Sequence, residues 1–447
     1  MAKANQKKIA GKILAAALVL SVVLLAGCQQ TQTNGQSSNT ASLASDYKGT
    51  ITITGWNKMP ALFTQIATQF KTKYPNVTIN TVLVDSTYTK LYAQLAAGTD
   101  VPDINDMQRR DVKSFMNKFP NAWADVTSWV KPIEKNIPEA VTSDVKDSKG
   151  KYKAFPWDIA PCATYYRTDM FQKAGVDPAS LTTWDKFVDA AKKIQTANPG
   201  VSMLGLDWGG ASDQNYEIML LNELGGSFYD SNGKVNFANP KCLQMLNELL
   251  AWKNAGITMN LPNYGSDIYT TLNANKLATD SGGEWLAAHF CTSVPDGSGK
   301  WSLIPLPAFT EGGNNQAQSG GSALAVSAKS KCLPLACAFA KYVALDSEGL
   351  SFGWNPEENA SIFPSNSQAY KDDAGVLSKQ DPYFNMSVGE FFEKLTSKIP
   401  PEDFGEYYTD VNNALQTVIG NILVKGEDPK TAAQEGSQAA QRAIDNE

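Results

Sequence analysis

The chain has 447 residues, a hydrophobic content of 43% and a formal charge of −6. That is ample apolar material for two large domains or lobes, and no basic cluster of the kind that tracks a phosphate backbone occurs, which excludes nucleic acid as a partner. The one histidine, His289, leaves no His-based metal site, and no CxxC pair offers zinc ligands, so neither metal nor cofactor is expected.

Lys3, Lys7, Lys8 and Lys12 open the chain without an acidic residue, and Ile13 to Ala26 is almost wholly apolar. Positive charge before a short apolar run is the layout of a signal peptide, and the run falls short of the roughly 20 residues that span a bilayer. Leu25-Ala26-Gly27-Cys28 resembles the lipobox of bacterial lipoproteins. The resemblance implies a lipid on the Cys28 sulfur and cleavage before it, so that residues 1–27 are removed and the formal charge becomes −10. Residues 28–46 are mostly Gln, Thr, Asn, Ser, Gly and Ala, which cannot bury enough apolar surface to order themselves and read as a flexible tether. Two acyl chains hold a protein stably on a membrane. The cysteines beyond Cys28 number five, which cannot all pair within the chain; Cys332 and Cys337 either pair or stand as buried thiols.

From Gly49 the pattern alternates strand and helix. "GTITITGW" is a β-branched alternating run, Leu62, Phe63, Ile66, Phe70 and Tyr74 recur at helical spacing, and "NVTINTVLV" is a second strand. Tyr88, Leu91, Tyr92 and Leu95 mark a helix ended by Gly98, and "VPDIND" offers a third strand. This order predicts a mostly parallel sheet flanked by helices. A second alternating region begins near Ala163, with a capping box at Thr182–Asp185 and a helix closed at Gly256. "WSLIPLPAF" and "GGSALAVSA" read as later strands. Phe404, Tyr408, Val411, Leu415, Val418 and Ile422 form one amphipathic stripe, and a last helix starts near Thr431.

Ten tryptophans are many for this length. Trp123, Trp129, Trp184 and Trp252 sit in helical surroundings and read as packing. Trp56, Trp157, Trp208, Trp285 and Trp354 adjoin glycine or proline, where strand-end loops meet ligands in open α/β sheets. An indole face covers the apolar C–H face of a sugar ring, while carboxylates, amides and guanidinium groups bond its hydroxyls. Asn57, Asp85, Asp106, Arg109, Arg110 and Asp158 are polar candidates near loop ends. His289, in "WLAAHFC", reads as structural.

The ordered series "YTKLYAQLAAGTDVPDI", "AFPWDIAPCATYYRTDMF", "TTWDKFVDAAKKI", "GGEWLAA", "SGGSALAVSAKSK" and "SIFPS" resembles the extracellular carbohydrate-binding proteins of ABC importers, the solute-binding family similar to maltose-binding protein. The resemblance covers roughly residues 49 to 440. It implies an α/β, two-lobed, type II periplasmic-binding-protein-like fold, each lobe a mostly parallel sheet flanked by helices, with hinge crossings near residues 159–163, 296–300 and 323–328. Residues 47–160 plus 298–325 would form the first lobe, and 161–297 plus 326–447 the second. By the same resemblance Trp56, Asn57, Asp106, Arg109, Arg110, Asp158, Tyr165, Trp208, Trp285, Trp354 and Tyr407 would hold a sugar, with Trp208 and Trp354 resting on position more than motif. The implied protein is a monomer, lipid-anchored outside the cell membrane, that gives its sugar to permease transmembrane subunits and catalyses nothing. A glycoside hydrolase, which needs two placed carboxylates, and the same fold carrying an amino acid, peptide, polyamine or metal are the alternatives.

Overall fold

The computed structural model describes residues 43–209, 216–262, 264–355, 360–372 and 377–446; Cys28 and the tether up to residue 42 lie outside them. Alternation in the first strand decides the first core. In β1 (Gly49–Gly55) Ile51 and Ile53 are buried, facing Phe63, Ile66 and Phe70 of the helix Met59–Lys73. β2 (Val77–Leu83) and β3 (Ile104–Gln108) pair with β1 in parallel. β4 (Ala154–Pro156) ends the first passage through this lobe, and the chain crosses at 157–161 into β5 (Cys162–Arg167). There follow β6 (Leu204–Leu206), β7 (Thr258–Asn260), β8 (Thr279–Gly283) and β9 (Trp301–Ile304). The chain then returns as β10 (Ser322–Val326) and makes a small hairpin of β11 (Trp354–Asn355) and β12 (Ala360–Ser361).

The first sheet has the order β2-β1-β3-β10-β4. In the second lobe β8-β5-β9 form one ladder and β6-β7 another. Backbone bonds from Ala278 N to Ser202 O and Thr279 N to Met203 O join β8 to the segment of β6, so the lobe repeats the plan as β7-β6-β8-β5-β9. The expectation of mostly parallel sheets holds for β1–β3 and β6–β7. β10 runs antiparallel to β3 and β4, and β5 antiparallel to β8 and β9, because both strands are entered from the opposite lobe.

Two sequence expectations about the lobes are corrected. Trp301–Ile304 pairs with β5, placing it in the second lobe; its inward residues Trp301 and Leu303 are buried, with Trp301 on Phe290 at 4.7 Å. The second crossing therefore lies between β9 and β10, not at 296–300. The helix Leu333–Leu345 belongs with the first lobe. It is apolar nearly all round, and Phe339 packs on Phe70 at 5.2 Å. The third crossing runs through Ser361–Ser365 rather than 323–328, with Ile159 N on Phe363 O and Ser365 N on Trp157 O.

The second core is built on Trp184, Phe187, Tyr216 and Trp252, the two indoles 4.9 Å apart. Thr183 caps the helix Trp184–Ala197 through its hydroxyl, which accepts from Lys186 N. The predicted C-terminal stripe is buried along the helix Tyr408–Leu423, which packs beside Pro240–Asn254 and Pro429–Asp445. Cys337 is a buried free thiol, so it forms no bond with Cys332. No helix among the described residues is long and apolar enough to cross a membrane.

Candidate functional site

Three crossings run side by side between the lobes: Pro161 bridges Gln318, Asp158 bridges Pro364, and Trp157 N donates to Ser322 O. Above them opens a narrow cavity of about 130 Å³, smaller than most small-molecule sites. Trp56, Asn57, Lys58, Met59 and Gln108 line it from the first lobe. Tyr264, Trp285, Ala288 and His289 line it from the second. Asp158, Gly320, Gly321, Ser322, Ser361 and Ile362 make its floor.

Local sequence explains these placements. Trp56 and Asn57 leave the carboxyl end of β1, where φ of Asn57 is +50°, a conformation that asparagine tolerates better than most residues. Trp285 follows β8 at the start of the helix Leu286–Ser293; its indole N–H donates to Ser319 O at 2.8 Å, fixing the ring against the crossing. His289 is one turn along, with Tyr269 stacked on it at 5.6 Å and Trp285 edge-on at 5.9 Å. Burial, with Lys58 opposite, holds its imidazole down at about 4, so it is neutral at pH 7.

The floor is acidic. Asp158 accepts a short hydrogen bond from Ser322 N. Burial pushes its carboxyl up to about 7, against the pull of that N–H and of Arg109. Behind it stand two fully buried acids, Asp106 and Glu284, whose carboxylate oxygens have no hydrogen-bond partner among the described residues. Burial first, and then the charge of Asp158, raises both well above the carboxylate range. The cavity is thus lined by two indoles, a phenol, a neutral imidazole, amides, serine hydroxyls, the Lys58 ammonium and the buried Asp158 carboxyl. That set suits a neutral, hydroxyl-rich ligand with an apolar face.

Of the eleven residues put forward from the sequence, the structure brings Trp56, Asn57, Asp158 and Trp285 together. The others it places elsewhere. Arg109 is a buried structural hub: its guanidinium donates to Ala140 O, Gln318 Oε1 and Gly320 O at 2.7–3.0 Å, and reaches Asp144 at 3.3 Å and Glu402 at 3.8 Å. Asp106 lies inside β3, opposite Leu324, rather than in the loop beyond it. Arg110 sits over the Tyr408 ring and beside Asp111, outside the cavity. Tyr165 points from β5 into the core, stacked on Phe290 at 5.1 Å with its hydroxyl donating toward Gly283 O and Glu284 O. Trp354 is buried against Phe363 and Phe392. Trp208 donates to Thr258 Oγ1 with the Lys253 ammonium over its ring. Tyr407 is half-buried just before the helix Tyr408–Leu423 and does not reach the cavity. Asp85 lines a separate depression on the first lobe.

With this geometry established, known proteins supply the comparison. The sequence profile described as "Bacterial extracellular solute-binding protein" matches residues 56–349. The chain belongs to that family. Two curated members resemble this solute-binding protein over most of their lengths. An arabinooligosaccharide-binding protein of Bacillus subtilis is 26% identical over 76% of this chain and 77% of its own. A second arabinooligosaccharide-binding protein, from Halalkalibacterium halodurans, is 23% identical over 86% and 87%. Among solved structures, the sugar-binding protein MalE of Xanthomonas citri superposes with a TM-score of 0.75 at 15% identity, covering 89% of this chain and 98% of that one, and so shares its fold.

Sequence reasoning missed Gln108, Tyr264, Ser322 and, as a cavity residue, His289. "NYGS" around Tyr264 does carry a signal, an aromatic beside a glycine in a loop. The solute-binding protein's His289 gave none, since its place on the cavity face depends on the turn that Trp285 starts.

Proposed function

We propose that this protein captures a sugar, most simply an oligosaccharide, between its two lobes and passes it to the membrane subunits of an ABC permease, acting as a binder without catalysis. The observation that carries the reading is the meeting of Trp56 and Trp285, from opposite lobes, across one cavity floored by Asp158 and Ser322. Two indoles sandwich a ring's C–H faces while the floor bonds its hydroxyls. Relatives named for arabinooligosaccharides and lactose support the same ligand class. Closure is a population shift driven by contacts that the ligand makes only when the lobes meet. The lipobox-like Leu25–Cys28 supports an anchor on Cys28 that leaves the folded part on the outer face of the membrane as a monomer.

A thermal-shift screen of the mature protein tests this. Arabinotriose, lactose, β-1,6-galactobiose and maltotriose are set against amino acids and polyamines. A ligand at a hundredfold its Kd adds about 2.7 kcal/mol to stability. The reading expects at least one sugar to raise Tm and to be recovered uncut. Stabilisation by amino acids or polyamines alone, or recovery of cleaved sugar, overturns it.

A further inference from the structure

Tyr264 stands just before the helix Ser266–Asn273, at the mouth of the cavity, and is 36% exposed. Its hydroxyl lies 3.3 Å from His289 Nε2, and Asn57, from the other lobe, lines the same cavity. Its ring meets the Trp285 indole edge-on at 5.8 Å. A ring that leans on an indole while its hydroxyl bonds the cavity imidazole satisfies groups that a hydroxylated ligand ring would satisfy. Gly265, next in the chain, has φ +110° with no atom within 4 Å of where a Cβ would stand. That conformation is closed to most L-residues but ordinary for glycine.

Resting on the sugar-capture reading, we propose that Tyr264 occupies one ring subsite of the cleft in the unliganded protein, so that a ligand ring must displace it, and that it thereby limits how many rings the cleft accepts tightly. The ligand hydroxyl that takes its place meets the neutral His289 imidazole. Displacement gives up about one net hydrogen bond, roughly 1 kcal/mol.

The test has a ligand-free arm and a ligand arm. His289 is the only histidine in the chain, so its NMR titration is a single curve. The groups facing it are Tyr264, Tyr269, Trp285 and, across the cleft, Lys58. Wild type is expected to titrate near 4, and Tyr264→Ala to move the midpoint toward the ordinary value of about 6.5. A wild-type midpoint already near 6.5, or no movement in Tyr264→Ala, overturns the proposal. In the ligand arm, Tyr264→Phe is expected to bind arabinotriose about fivefold tighter than wild type, with a smaller gain for arabinobiose. Equal or weaker binding overturns the proposal, because the hydroxyl is then a bystander or a ligand contact. If no sugar binds wild type, the capture reading fails by itself, while the histidine titration still decides where Tyr264 sits.

Discussion

Arg109→Met separates a structural arginine from a ligand-binding one. The side chain is fully buried and makes four hydrogen bonds, to Ala140, Asp144, Gln318 and Gly320, besides facing Glu402. Methionine fills part of the space but leaves two buried carboxyls without their cation. Removing one partner of a buried ion pair costs about 3–5 kcal/mol. Each lobe is of a size for which 1 kcal/mol moves Tm by roughly 2–4 °C, so the expected fall is about 6–20 °C by calorimetry. The carboxyls limit the damage by taking up protons; Asp144 is already raised to about 7 by burial. A variant with unchanged Tm that no longer binds sugar would refute the reasoning and return Arg109 to the ligand site.

Other outcomes follow from single contacts. Gly321 has φ +91°, and a Cβ there would stand 2.6 Å from Arg109 Nε; Gly321→Ala should cost about 2–4 kcal/mol in urea unfolding, from left-handed strain and overpacking together, and an unaffected midpoint would contradict the packing. Asp280 is raised to about 7 by burial. Its folded form holds a proton that the unfolded chain has lost above about pH 4, so stability falls as pH rises from 4 to 7 and stays lowered beyond. Asp280→Asn should flatten that slope and gain up to about 4 kcal/mol relative to wild type at pH 8, and an unchanged pH profile would count against it. Trp208→Ala should leave sugar affinity within twofold, since the ring packs under Lys253 away from the cavity; a tenfold loss by calorimetric titration would place Trp208 at the ligand.

The elements of this fold were legible because their patterns are local. The Thr-Ile alternation of β1, the Thr183 cap and the stripe from Tyr408 to Ile422 each follow from spacing within one segment. The lobe boundaries were not, because which sheet a strand such as Trp301–Ile304 joins is fixed by partners far along the chain. The same distinction runs through the site. Trp56 and Trp285 were readable as aromatics at strand ends. Trp354 fits the same description and lies in the core, since Phe363 and Phe392 close over it. Arg109 read as a ligand contact because it follows the third strand near a loop end, where the family resemblance puts polar contacts; its partners Gln318 and Glu402 sit roughly two to three hundred residues away and only the fold reveals them. Asp106 fell just inside β3, where a shift of one residue changes the face that a side chain meets.

The claim that a sugar is held between indoles of two lobes is tested most directly by titrating Trp285→Ala in a calorimeter with whichever sugar most stabilises wild type. One indole face of about 100 Å² at roughly 25 cal/mol per Å² contributes about 2.5 kcal/mol, or an affinity loss near 70-fold. The variant should fold, since Trp285 is half-buried and makes one side-chain hydrogen bond, to Ser319 O. A loss of that order with the fold intact is the predicted result; an affinity equal to wild type would contradict the account.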